Sequence, residues 1–129
     1  MEYRPARPEE IPACNELIAS TKYYDPVDLA DMGGIVLVAI KDNIIKGCVW
    51  AAVSKKFAYG NWLAVAPDMV DSGLGVKLMI KGRALLAELG VTHFTYHIHE
   101  NNPRMMKIAL AFRDTMDLPY IFVSAKLGE

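Results

Sequence analysis

The sequence predicts an α+β fold, a mixed and mostly antiparallel sheet with helices on both faces, in one domain spanning residues 1–129. Three observations carry this expectation. Two runs rich in β-branched residues, Ile35 to Ile40 and Ile44 to Val53, flank Asp42 and Asn43, residue types that tolerate the left-handed conformations of a tight hairpin. A third run, Asn61 to Ala66, follows a reversal around Lys55 to Gly60 and is closed by Pro67, giving three consecutive antiparallel strands. Amphipathic helical stretches precede and follow these strands, and a sheet between helices is the packing that buries both apolar stripes.

Taken in order, Tyr3 to Ala6 is a short strand, and Pro8 with Glu9 and Glu10 suits the first turn of a helix. Ile11, Cys14, Leu17 and Ile18 form its apolar face. The segment TKYYDPVDLADMGG, Thr21 to Gly34, breaks that period and reads as a loop with one short helix around Val27 to Met32. After the three strands, Gly73 to Leu89 is helical, with Leu74, Leu78, Leu85 and Leu89 on one stripe and Gly90 as a left-handed stop. Thr92 to His99 alternates as a strand, with Phe94, Tyr96 and Ile98 on one side and His93, Thr95, His97 and His99 on the other. Asn102 caps a helix that starts at Pro103 and buries Met105, Ile108, Ala109 and Phe112. Pro119 to Leu127 is the last strand, and it leaves an edge that a second copy of the chain could complete.

Composition narrows the function classes. With 53% hydrophobic residues, 22% charged residues and a formal net charge of -1, the chain reads as globular, without the basic excess of a nucleic-acid binder. Its longest apolar run, Ile35 to Ile40, is far short of the roughly 20 residues that span a bilayer. The opening MEYRPARPEE carries no secretion signal, so a cytosolic location is expected. Cys14 lies on a helical apolar stripe and Cys48 within a buried strand, so both read as small core residues.

The segment most suggestive of chemistry is the polar elbow DMVDS between the strand YGNWLAVAP and the helix opened by GLG. Glycines allow the close backbone approach an anion needs, and the first amides of a helix lack intrahelical acceptors while sitting at the positive end of its dipole. A phosphate or pyrophosphate between Asp71 and Gly75 is the ligand this geometry suits. A dinucleotide fingerprint fits poorly, because Leu78 stands at the third glycine position and antiparallel strands precede the motif. A Walker loop is excluded, because Gly82 is followed by Arg83 and no Gly-Lys-Ser/Thr occurs.

Val65 to Pro67 (V-x-P), then V-D-S-G-L-G at Val70 to Gly75 opening one helix and I-H-E-N-N at Ile98 to Asn102 opening another, resembles the GCN5-related N-acetyltransferase (GNAT) superfamily. The resemblance covers nearly the whole chain in element order. It implies acetyl-coenzyme A as cosubstrate, an amine as acceptor, and a GNAT-like sheet. It further implies that Val70, Asp71, Ser72, Gly73, Leu74, Gly75 and Val76 surround the pyrophosphate, with Gly73 and Gly75 as the motif glycines. Leu63 and Val65 would lie along the pantetheine arm, and Asn102 would meet the middle of the cofactor. Three positions depart from the family pattern: Val70 replaces the usual Arg or Gln, Asp71 stands where Gly is common, and Ala109 occupies the place of a Tyr that protonates the leaving thiolate. A carboxylate roughly 7 Å from a phosphate charge costs about 0.6 to 2.4 kcal/mol per charge pair at effective dielectrics of about 80 to 20. The alternative to an enzyme is therefore a GNAT-like protein that has lost its chemistry and serves as an interaction or structural module.

No catalytic residue is assigned from the sequence. His97 or Glu100 could serve as a base near the end of its strand, and Tyr23, Tyr24, Asp25 or Tyr59 could order an acceptor. Each has a plainer reading, as a solvated residue or as an aromatic that ties a loop down. His93, His97 and His99 share one strand face but have no Cys or carboxylate cluster beside them, so no metal site is expected. Lys77, Lys81 and Arg83 could meet the 3'-phosphate of coenzyme A, or form the wet face opposite the leucines.

Overall fold

The computed structural model describes residues 1–99, 103, 104, 107 and 120–125. The chain runs β1 (Glu2–Pro5), α1 (Ile11–Thr21), β2 (Ile35–Lys41), β3 (Ile44–Ser54), β4 (Phe57–Val65), α2 (Leu74–Glu88), β5 (His93–His99) and β6 (Tyr120–Ala125). All six strands join one sheet in sequence order, antiparallel from β1 to β4 and parallel from β4 to β6. Strand alternation on β2 explains the helix on each face. Val36, Val38 and Ile40 pack with Cys14 and Ile18 of α1, whereas Leu37 and Ala39 pack with Leu74 and Leu78 of α2. The predicted α+β architecture is thus the observed one.

Local chemistry sets the turns. Asp42 and Asn43 both have positive φ, 53° and 65°, as the two-residue hairpin between β2 and β3 requires. At the entry to α1, Arg4 donates two hydrogen bonds to the Glu10 carboxylate, 2.7 and 2.8 Å, and the Arg7 amide donates a third at 2.7 Å. The Arg4 bonds, then the Arg7 amide, lower the Glu10 pKa from 4.5 to about 2. Because the folded value lies below the unfolded one, this contribution is complete above pH 4.5 and fades as the pH falls toward 2. Glu10→Gln is expected to cost about 1 kcal/mol at neutral pH and progressively less in acid, as read from urea denaturation across that range.

Five sequence expectations need correction. The reversal after β3 occupies only Lys55 and Lys56, so β4 begins at Phe57 rather than at Asn61. Gly60 suggested a turn, yet it is a point of close approach: a Cβ there would lie 2.6 Å from Cζ of the buried Phe94 ring. Gly60→Ala is accordingly expected to destabilise by about 1–3 kcal/mol in chemical denaturation, because the ring must shift within a packed core. The short helix is a 3-10 turn, Leu29–Asp31, whose cap Asp28 accepts from the Ala30 amide at 3.0 Å. Leu89 is 49% exposed, just past the last residue of α2, and Met79 and Leu86 fill the core instead. Arg83 is not on the wet face; it is 5% exposed, with its guanidinium carbon 5.9 Å from the centre of the Phe94 ring.

Cys14 and Cys48 are both fully buried, as expected of core residues. Hydrogen bonding to Cys14 and burial hold the Cys48 thiol well above its ordinary range, which disfavours the reactive thiolate.

One irregularity shapes the site. β3 pairs Cys48 with Ala64 but Trp50 with Asn61, so Val49 faces two residues, Trp62 and Leu63, on β4. Trp62 takes φ 54° at this bulge, its amide accepted by the Asn61 side chain at 2.9 Å and its ring edge-on to Trp50 at 4.9 Å. Pairing between β4 and β5 covers Phe57–Gly60 against His93–Tyr96 and goes no further. From Asn61 onward, β4 remains on β3 and leaves β5.

Candidate functional site

The gap left beside the second half of β4 opens into a cleft of about 500 Å³. Leu63, Ala64 and Val65 form its floor, the elbow and first turn of α2 close one end, and Ser20, Thr21 and Tyr23 at the end of α1 stand opposite. The Ala66 amide donates to the Lys46 carbonyl on β3 at 2.8 Å. Because successive strand amides point to opposite edges, the Val65 N–H faces away from β3, toward the gap. The Val65 N–H on this edge is therefore available to an extended, amide-bearing ligand, whereas the Leu63 amide hydrogen-bonds the Tyr24 hydroxyl.

The elbow is built from short-range bonds. A 3-10 turn, Pro67–Met69, follows β4, and Lys46 on β3 holds Asp68 through an ion pair of 2.8 Å. The Ser72 amide donates to the Met69 carbonyl at 3.1 Å, and the Ser72 hydroxyl accepts from the Leu74 amide at 3.3 Å. Asp71 and Gly73 both adopt left-handed conformations, φ 68° and 85°. The first bond in the helical i to i-4 pattern runs from the Lys77 amide to the Gly73 carbonyl at 3.1 Å. The Gly75 and Val76 amides precede it, so they have no intrahelical acceptor and point out of the positive end of α2.

No family model and no curated protein matches this sequence. Solved structures do match it. The ribosomal-protein-S18-alanine N-acetyltransferase from Escherichia coli superposes with a TM-score of 0.79 at 16% identity, over 86% of this chain and 75% of that one. A GNAT family acetyltransferase from Brucella melitensis, solved with acetyl-CoA, gives 0.65 at 20% identity, over 81% and 80%. Rv2747 from Mycobacterium tuberculosis, solved with CoA, gives 0.59 at 20% identity over 71% of this chain, and the match spans 61% of Rv2747. This chain has the GNAT fold. At these identities it is a divergent example of it.

Within the GNAT fold, the sequence-predicted residues fall as follows. Leu63, Val65, Val70, Asp71, Gly73, Leu74, Gly75 and Val76 all line the cleft. Ser72 lies in the same elbow, but its amide and hydroxyl both serve bonds inside the loop. Asn102, Glu100 and Ala109 lie outside the described residues. Tyr23 reaches the cleft, whereas Tyr24 packs with Tyr59 and Trp62 against the core on the α1 side. Burial pushes the Tyr24 hydroxyl up to about 12, so it stays protonated at neutral pH. Lys77 and Lys81 are exposed on α2, the latter 5.6 Å from the centre of the Tyr3 ring. Among the described residues no group of three His, Cys, Asp or Glu could hold a metal ion. Likewise, no helix among them is long and apolar enough to cross a membrane.

Arg104 is the residue that sequence reasoning missed. It lines the cleft and pairs with Asp71, Nη1 to Oδ1 at 3.2 Å. The one available signal was the lone carboxylate in the anion loop, which implied a cation from elsewhere. Naming that cation requires knowing which segment lies beside the elbow.

Proposed function

We propose that the protein is an acyl-coenzyme A dependent N-acetyltransferase that moves the acetyl group of acetyl-CoA directly to an amine. The observation that carries this reading is the continuity of the cleft, from the open edge of β4 to the unpaired first-turn amides of α2. An extended acyl carrier with amides along its arm and a diphosphate at its end matches both halves. Leu63 and Val65 would hold the arm, and Asp71, Gly73, Gly75 and Val76 would surround the phosphates, with Val70, Ser72 and Leu74 completing the loop. The cofactors in the solved Brucella melitensis and Mycobacterium tuberculosis structures support the same ligand.

When bound, the carrier supplies a thioester, already reactive toward an amine. The protein's part is then to align the acceptor and to donate a hydrogen bond to the thioester carbonyl, for which the gap-facing Val65 N–H is the best-placed group. Ser20, Thr21 and Tyr23, across the cleft, are positioned to contact the acceptor. Isothermal titration with acetyl-CoA tests the reading, with saturable heat below millimolar concentration as the expected result.

A second reading, a GNAT-fold interaction module without chemistry, draws on the internal use of the Ser72 and Leu74 amides and on the exposed apolar Val70. Absence of binding at millimolar acetyl-CoA would leave that reading standing alone.

A further inference from the structure

Asp71 and Arg104 face each other at the mouth of the cleft, from the elbow and from the helical segment that contains Pro103, Arg104 and Lys107. Among the described residues that line the cleft, Arg104 is the only cation and Asp71 the only anion. The loop itself is poor in positive charge. Val70 presents an apolar side chain, 42% exposed, and the Ser72 and Leu74 amides are already engaged. A diphosphate held there would be met by first-turn amides and a carboxylate, a combination short of one cation.

We propose that Arg104 is the phosphate-binding cation of this site, and that Asp71 holds its guanidinium in place when the cofactor is absent. This rests on the acyl-CoA reading above. The Asp71 and Arg104 side chains are 78% and 53% exposed, so their mutual pairing is weak and water can take over from either partner. The Asp71 carboxylate meets the guanidinium through a single contact, Nη1 to Oδ1, whereas the phosphates of the carrier bring several acceptor oxygens and more than one negative charge, and so displace it. Asp71 stays in the left-handed turn and faces solvent once released. The exchange offsets part of the repulsion that the Asp71 carboxylate would impose, because the incoming charge is matched by the arginine. The ligand chemistry is a phosphate group of coenzyme A, either in the diphosphate bridge or at the 3' position.

The test is titration of wild type, Arg104→Gln, Arg104→Lys and Asp71→Asn with coenzyme A and with 3'-dephospho-coenzyme A, each at two salt concentrations. Arg104→Gln should weaken coenzyme A binding roughly tenfold or more, as expected for loss of a charge-assisted hydrogen bond, and should reduce the salt dependence of Kd. Arg104→Lys should recover part of both. Asp71→Asn should tighten binding severalfold. A loss of equal size with dephospho-coenzyme A assigns the contact to the diphosphate, and a loss confined to coenzyme A assigns it to the 3'-phosphate. If Arg104→Gln binds coenzyme A like a wild type that itself binds well, the arginine assignment is wrong and the acyltransferase reading survives. Weakening by Asp71→Asn would overturn the exchange, because it would show that the carboxylate does not compete with the phosphate for the arginine. Should the wild type bind no coenzyme A, both ideas fall together.

Discussion

Gly75→Glu is expected to abolish acetyl-CoA binding, a loss of at least about a hundredfold in Kd, while leaving the fold intact. Gly75 is the second residue of α2 and lines the cleft. A glutamate there puts a negative charge against the diphosphate at close range, where like charges cost several kcal/mol in a partly enclosed site. It also covers first-turn amides that the ligand needs. The same substitution is favourable for the helix itself, because an acidic side chain in the first turn complements the dipole and glycine is a poor helix former. The two effects separate cleanly in experiment. Thermal melting should stay level or rise, and isothermal titration should lose its heat. Retained binding in a well-folded Gly75→Glu protein would place the cofactor somewhere other than the end of α2.

Trp50→Ala is expected to produce the largest loss of stability, about 3–5 kcal/mol, as for other large aromatic truncations in cores. Trp50 is 4% exposed on the α1 side of β3, and its indole Nε1 donates to the Gly33 carbonyl at 2.8 Å. Its ring meets Tyr59 and Trp62 edge-on, at 6.0 and 4.9 Å. Removing it empties the centre of one core layer, leaves the Gly33 carbonyl without that donor and frees the ring that covers the bulge. Against a typical total of about 5–15 kcal/mol, a loss of this size lowers the melting temperature by roughly 10 °C or more. Trp50→Phe should fall between, since it keeps ring packing and loses the hydrogen bond. A melting temperature unchanged by Trp50→Ala would show that Trp62 is not held by its neighbour.

Local rules made most of the architecture legible. The Asp42-Asn43 hairpin, the apolar faces around Cys14 and Leu78 and the stop at Gly90 each follow from backbone or burial preferences confined to a few residues. Where the sequence misled, the cause was non-local. Gly60 resembles a turn residue because the reason for it, the Phe94 ring, lies on a strand far along the chain. Arg83 resembles a wet residue because its basic head suggests solvent, and only the packing of α2 on the sheet places it against Phe94. Among the site residues, the elbow glycines and the floor at Leu63 and Val65 were readable from the motif and its resemblance. The bulge at Trp62 was not, since a bulky aromatic at positive φ contradicts its ordinary preference and is stabilised by Asn61 and Trp50 together. Arg104 was invisible for a similar reason, its partner Asp71 lying on another segment.

The parting of β4 from β5 has a consequence for which positions of the chain tolerate change. A groove whose recognition surface consists of peptide groups makes few demands on the identity of the side chains that flank it, provided the strand keeps its path. Replacements along the floor then act mainly through bulk. The demanding positions are the few that bend the strand, so that a change at Asn61 or Trp62 should disturb the site more than one at Leu63.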